Sequence, residues 1–200
     1  MAPNRRARKR EQAASHLIAT AFRLFEAHGY EAVTMERIAA EADVAKATLY
    51  NYFPVKETLL AYRFRDEIAA EMASIEGSLK QHKSFASRMR FLLERSAEWH
   101  KSRRDYLPHY LRFLRGSASY SPEETELNVY SSGSRGILEV LFRAAQQAGE
   151  IRKDLAPNRL AWMFEYMLAG ALTAWLNQSR GDLSREFQFA LDLLLEGIAL

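Results

Sequence analysis

The 200-residue sequence contains no cysteine. Disulfides, thiol nucleophiles, cysteine-bound metal centres and thiol redox sensing are thereby excluded. Proline (five) and glycine (nine) are sparse, so few points interrupt a helix, and no alternating apolar pattern persists that would mark strands. No apolar run approaches the length of a bilayer span, and the N-terminus lacks the apolar stretch of a signal peptide. A soluble, cytoplasmic protein with no membrane partner is expected. Acidic residues are missing from the first ten positions, where Arg5, Arg6, Arg8, Lys9 and Arg10 fall. This unpaired basic stretch is expected to form a flexible arm, residues 1–10, that orders on an anion. Signatures of catalysis are missing as well: there is no Glu-x-x-His pair, G-x-S-x-G, P-loop or dinucleotide fingerprint. The histidines His16, His28, His82, His100 and His109 are scattered, with no two spaced as i and i+4 on a helix. No enzyme is expected, and no catalytic residue, metal site or cofactor.

What the chain does have is helical periodicity and 48% hydrophobic residues, enough for one small and one larger helical unit. The most informative stretch runs from Thr34 to Lys56. Thr34 is placed to cap a short helix whose buried face is Ile38, Ala39 and Ala42, and Arg37 denies it a full capping box. Ala39, Asp43 and Leu49 have helix-turn-helix spacing, with Asp43 at a turn that often requires positive φ, a region Asp tolerates better than most residues. A second short helix, Ala45 to Tyr52, ends at Pro54, which biases Phe53 away from helical angles. Leu49 and Phe53 would face inward. Lys46, Ala47, Thr48, Tyr50, Asn51 and Tyr52 would face outward, and they form a DNA-reading set: Lys and Tyr for phosphates, Thr and Asn for base edges or phosphates, Ala for a thymine methyl. A sequence-specific DNA-binding regulator is expected, with a double-stranded operator as partner. The alternative is a helical adaptor that lacks selective DNA binding.

Several segments resemble the TetR family of transcriptional regulators: AFRLFEAHGY (Ala21 to Tyr30), Thr34, ERIAAEADV (Glu36 to Val44) and TLYNYFPVKETLL (Thr48 to Leu60). Asp43, where that family often has Gly, is the visible departure. The resemblance implies an all-α fold, with an N-terminal three-helix helix-turn-helix DNA-binding domain and a C-terminal helical domain that dimerises and often binds a small molecule. By position it implies that Tyr50 and Lys56 contact phosphates, that Lys46, Thr48 and Tyr52 face the groove or its walls, and that Thr34 helps to anchor the second helix on the DNA backbone.

Beyond the arm, the expected organisation is a DNA-binding domain over 11–56, a connecting helix over 57–83 that carries Leu60, Phe64, Ile68, Met72, Ile75 and Leu79 at steps of three and four, and a regulatory and dimerisation domain over 84–200. Within the last, helices are expected from about Ser84 to His100, Leu107 to Arg115, Glu123 to Ala148, 157 to 178 and Ser184 to Ala199. Gly133 and Gly136 favour a kink or a close packing contact. The helix from Pro157 is apolar nearly all round, so it must be buried on more than one side. With the last helix it is expected to form a homodimer interface, placing two reading helices on a near-palindromic operator. Trp99, Tyr106, Tyr110, Phe113, Trp162, Met163, Tyr166 and Met167 could line a cavity rimmed by His100, His109 and Asn128. An apolar or aromatic small-molecule effector is implied chiefly by the resemblance. Repression is expected over activation, because it requires only occupancy of a promoter.

Overall fold

The computed structural model describes residues 5–117, 134–178 and 181–198. Among these residues the regular structure is helical throughout, in nine helices. The described residues form two compact units, 5–66 with 109–117, and 67–108 with 134–178 and 181–198.

The first unit contains α1 (Arg5–His28), α2 (Met35–Glu41), α3 (Lys46–Tyr52), the start of α4 (Lys56–Leu79) and most of α6 (Leu107–Ser117). Where the sequence suggested a flexible arm up to residue 10, α1 begins at Arg5. The physical reason is local: Arg, Lys, Ala, Glu and Gln are all good helix formers, and neither Gly nor Pro interrupts them after Pro3. Further along α1, Leu17, Ile18, Ala21, Phe22, Leu24 and Phe25 are buried. The helix ends on Gly29 at φ 81°, whose N–H donates to Phe25 O at 2.8 Å. Edge-on aromatic pairs fill the centre: Phe22 with Phe64 at 6.5 Å and Phe64 with Tyr110 at 5.0 Å. Phe25, Phe53 and Phe64 are fully buried, and truncating any one of them to Ala should cost about 3–5 kcal/mol.

The second unit contains the rest of α4 and α5 (Phe85–Lys101), α7 (Ser134–Ala148), α8 (Pro157–Leu176) and α9 (Leu183–Ile198). Here α8 packs against α7 and α9, and α9 packs against α5. Ser84 and Ser87 form a reciprocal capping box that starts α5. Pro157 occupies the first turn of α8, where its missing N–H is no loss. Arg104 closes the other end of α8, donating to the carbonyls of Trp175, Leu176 and Gln178 with its guanidinium 4.2 Å from the Trp175 ring centre. The helix expected over 123–148 is described from Ser134, and its earlier part, with Gly133 and Asn128, lies outside the described residues. A Cβ added at Gly136 would meet nothing within 4 Å among the described residues.

Candidate nucleic-acid interface

The turn between α2 and α3 is built by a pair of backbone hydrogen bonds. Asp43 N–H donates to Ala40 O at 3.2 Å, and Val44 N–H to Ala39 O at 3.0 Å, with Asp43 at φ 53°. This is a Schellman end, in which a left-handed residue satisfies the last carbonyls of a helix and turns the chain sharply. Asp fills the place more often given to Gly. At the other end of α2, Thr34 adopts extended angles and its hydroxyl accepts from Arg37 N–H at 3.2 Å. Two well-defined ends therefore hold a helix of only seven residues.

The second short helix, α3, also has seven residues and no side-chain cap, so it depends on tertiary packing. Leu49 and Phe53 supply that packing, both buried, and Phe53 takes the extended conformation that the following Pro54 favours. Lys46, Ala47, Thr48, Tyr50 and Asn51 are exposed and Tyr52 is half-buried. Tyr52 lies 5.9 Å from the Arg10 guanidinium, which brings the basic start of α1 beside α3. The Tyr50 hydroxyl donates to Glu36 Oε1 at 3.2 Å. A backbone amide and this hydroxyl hold the Glu36 carboxyl below its usual range, with a further contribution from the Lys46 charge. Burial and the Glu36 carboxylate raise the Tyr50 phenol.

Lys56, for which the resemblance implies a phosphate contact, donates from Nζ to Tyr30 O at 2.7 Å and Val33 O at 2.9 Å and sits 4.1 Å from the Tyr30 ring centre. Those carbonyls lie past the end of α1, and an ammonium at the start of α4 reaches both. Two of its three N–H donors are committed to the α1–α2 loop. The Tyr30 ring in turn packs at a tilt against His109, with centroids 4.3 Å apart, and burial pushes its phenol upward.

The eight candidate ligand residues are not brought together in one compact unit. Tyr110 and Phe113 belong to the first unit, where Tyr110 is buried against Phe64. The other six belong to the second, in which Tyr106 and Met167 are half-buried. Trp99 donates from Nε1 to Glu67 Oε2 at 3.1 Å, an oxygen that also accepts from Arg103. On α8, Trp162, Met163 and Tyr166 are 46%, 53% and 59% exposed. Helical geometry is the reason: Ala161, Phe164, Leu172 and Trp175 take the inward face and leave the others outside. Among the proposed rim groups, His100 donates from Nδ1 to Ser96 O at 2.7 Å, and burial lowers its pKa to about 4. His109 lies beside Tyr30 instead.

Glu36 is the residue of this surface that sequence reasoning missed. It stands fourteen positions before Tyr50, and only the crossing of α2 and α3 brings the two together. Its place two residues after a capping Thr is the one signal the sequence offered.

Residues 17–62 match the family model described as bacterial regulatory proteins, tetR family. Over 183 residues the chain is 24% identical to the fatty acid metabolism regulator protein of Bacillus subtilis, covering 91% of this chain and 93% of that one. It is 28% identical over 172 residues to the transcriptional repressor KstR of Mycobacterium tuberculosis, covering 84% and 73%. The fold is shared with the crystal structure of Thermus thermophilus FadR, a TetR-family repressor in complex with lauroyl-CoA, at a TM-score of 0.79, with 22% identity and 94% and 95% of the two chains covered. Among the described residues, no helix is long and apolar enough to cross a membrane.

Proposed function

We propose that the chain, whose residues 17–62 match the model of the TetR family of bacterial regulatory proteins, is a DNA-binding transcriptional regulator of that family and a cytoplasmic homodimeric repressor, released from a near-palindromic operator when a small molecule binds its C-terminal part. The observation that carries this reading is the solvent-facing surface of α3, where one cation, two phenols, a hydroxyl and an amide stand on a helix held from behind by Leu49 and Phe53. Base-edge and phosphate recognition need these groups. In this reading Lys46 and Tyr50 contact phosphates, Thr48 and Asn51 read base edges, Ala47 meets a thymine methyl and Tyr52 lines the groove wall. Thr34 anchors α2, and Lys56 positions the α1–α2 loop from within. The cations of the first turns of α1 track the neighbouring phosphates as a helix.

The outward faces of α8 and α9 support the homodimer. Trp162, Met163 and Tyr166 on α8 and Phe189 and Leu193 on α9 are exposed large apolar side chains. Large apolar side chains exposed on two packed helices mark an interaction site, and a second copy related by a two-fold axis covers them with its own equivalents.

The effector proposed is a long-chain acyl thioester of coenzyme A. Support comes from a relative named for fatty acid metabolism and from a fold neighbour that holds lauroyl-CoA. The mechanism is a population shift, in which the ligand prefers a form whose reading helices no longer match the operator. Titration of an operator complex with lauroyl-CoA should release the DNA, while coenzyme A alone should not. Equal affinity for the operator at saturating lauroyl-CoA would reject this effector class.

A further inference from the structure

One of the side chains assigned above to phosphates already engages an anion within the protein. The Tyr50 hydroxyl donates to Glu36 Oε1 at 3.2 Å, and the positive charge of Lys46 acts on the same carboxylate. Glu36 is exposed in the first turn of α2, on the side of that helix facing α3. To a phenol and an ammonium, a carboxylate and a phosphate present the same chemistry: a negatively charged oxygen acceptor of good geometry.

We infer that Glu36 is an internal phosphate mimic, a carboxylate that holds the Tyr50 hydroxyl in the free protein and must be displaced by DNA. The inference rests on the DNA-contact reading of α3. Once displaced, the carboxylate remains on α2 close to the incoming phosphate and repels it. Phosphate contacts carry no sequence information, so this cost falls on every DNA sequence alike. Glu36 therefore acts as a brake on sequence-independent occupancy, and the base contacts decide where the protein stays. The carboxyl remains charged at neutral pH because a backbone amide and the Tyr50 hydroxyl stabilise its anion.

The test uses the full-length protein with Glu36→Gln, Tyr50→Phe and the double variant. Each is titrated by fluorescence anisotropy against a selected operator duplex and a random-sequence duplex over a series of salt concentrations. Glu36→Gln should tighten binding to both duplexes by a similar factor, roughly three- to fivefold, the effect of one screened surface charge. The slope of log affinity against log salt should steepen by about one. Tyr50→Phe should cost more affinity in the Glu36→Gln background than in the unaltered protein, because the hydroxyl is there held only by a neutral amide oxygen, a weaker acceptor than the carboxylate. Weaker binding by Glu36→Gln would overturn the inference in favour of a carboxylate that pre-positions Tyr50. A changed base preference would overturn it in favour of direct base reading, and unchanged affinity and slope would overturn it outright. If the unaltered protein does not prefer the selected duplex over the random one, the DNA-contact reading fails and takes the inference with it. That outcome is distinct from a selective binder indifferent to Glu36→Gln.

Discussion

Asp43 ends α2 in the way Gly149 ends α7. In α7, Gly149 at φ 73° donates to Gln146 O and Glu150 N–H donates to Ala145 O; in α2, Asp43 and Val44 make the same pair of bonds. Only the residue at the left-handed position differs. A side chain there costs conformational energy that Gly avoids, and Asp is among those that bear it best. Asp43→Gly should therefore stabilise the protein by about 0.5–1 kcal/mol and Asp43→Val should destabilise it by about 1–2 kcal/mol, read as shifts of the denaturant midpoint. The demand for positive φ was legible from the spacing of Ala39, Asp43 and Leu49. The partners of the side chains around that turn were not, because hydrogen bonds between α2 and α3 depend on a crossing geometry that no local pattern encodes. Lys56 illustrates the limit: its type and position suit a phosphate, yet its ammonium is held by two carbonyls of the preceding loop. Salt titrations of operator binding separate the two lysines. Lys46→Met should flatten the salt slope by about one, whereas Lys56→Met should lower affinity and stability with the slope unchanged.

At the scale of elements, punctuation in the sequence agrees with where helices begin and end. Gly29 and Gly149 sit at left-handed ends, Pro54 follows the extended Phe53, Pro157 opens α8 and Ser84 caps α5. The facing of the apolar residues was harder to read. α8 is apolar nearly all round, so the pattern alone could not separate the inward Phe164 and Trp175 from the outward Trp162 and Tyr166. His100 in α5 has a consequence of its own. Burial holds its imidazole neutral down to about pH 4 in the folded state, whereas the unfolded chain takes up the proton near pH 6.5. Between these values the unfolded state binds more protons, so stability is full above pH 6.5 and falls as pH drops toward 4, by at most about 3 kcal/mol. Chemical denaturation from pH 7.5 to pH 4 should show this decline, and His100→Gln should reduce the pH dependence in that window.

For the whole molecule, the all-helical fold and the DNA-binding class followed from periodicity and from the stretch between Thr34 and Lys56. The effector did not, because aromatic residues at helical spacing serve a core and a cavity equally well. The homodimer stands between these cases. Its case rests on Trp162, Met163, Tyr166, Phe189 and Leu193 remaining exposed in a single chain, and its consequence is geometric: two α3 helices related by a two-fold axis require a DNA site with the same symmetry. Selection of bound duplexes from a random pool at near-physiological salt tests reading and symmetry together. The expected product is an inverted repeat whose half-sites lie about one helical turn apart or at a related spacing. Recovery of no sequence above background, with and without lauroyl-CoA, would contradict it.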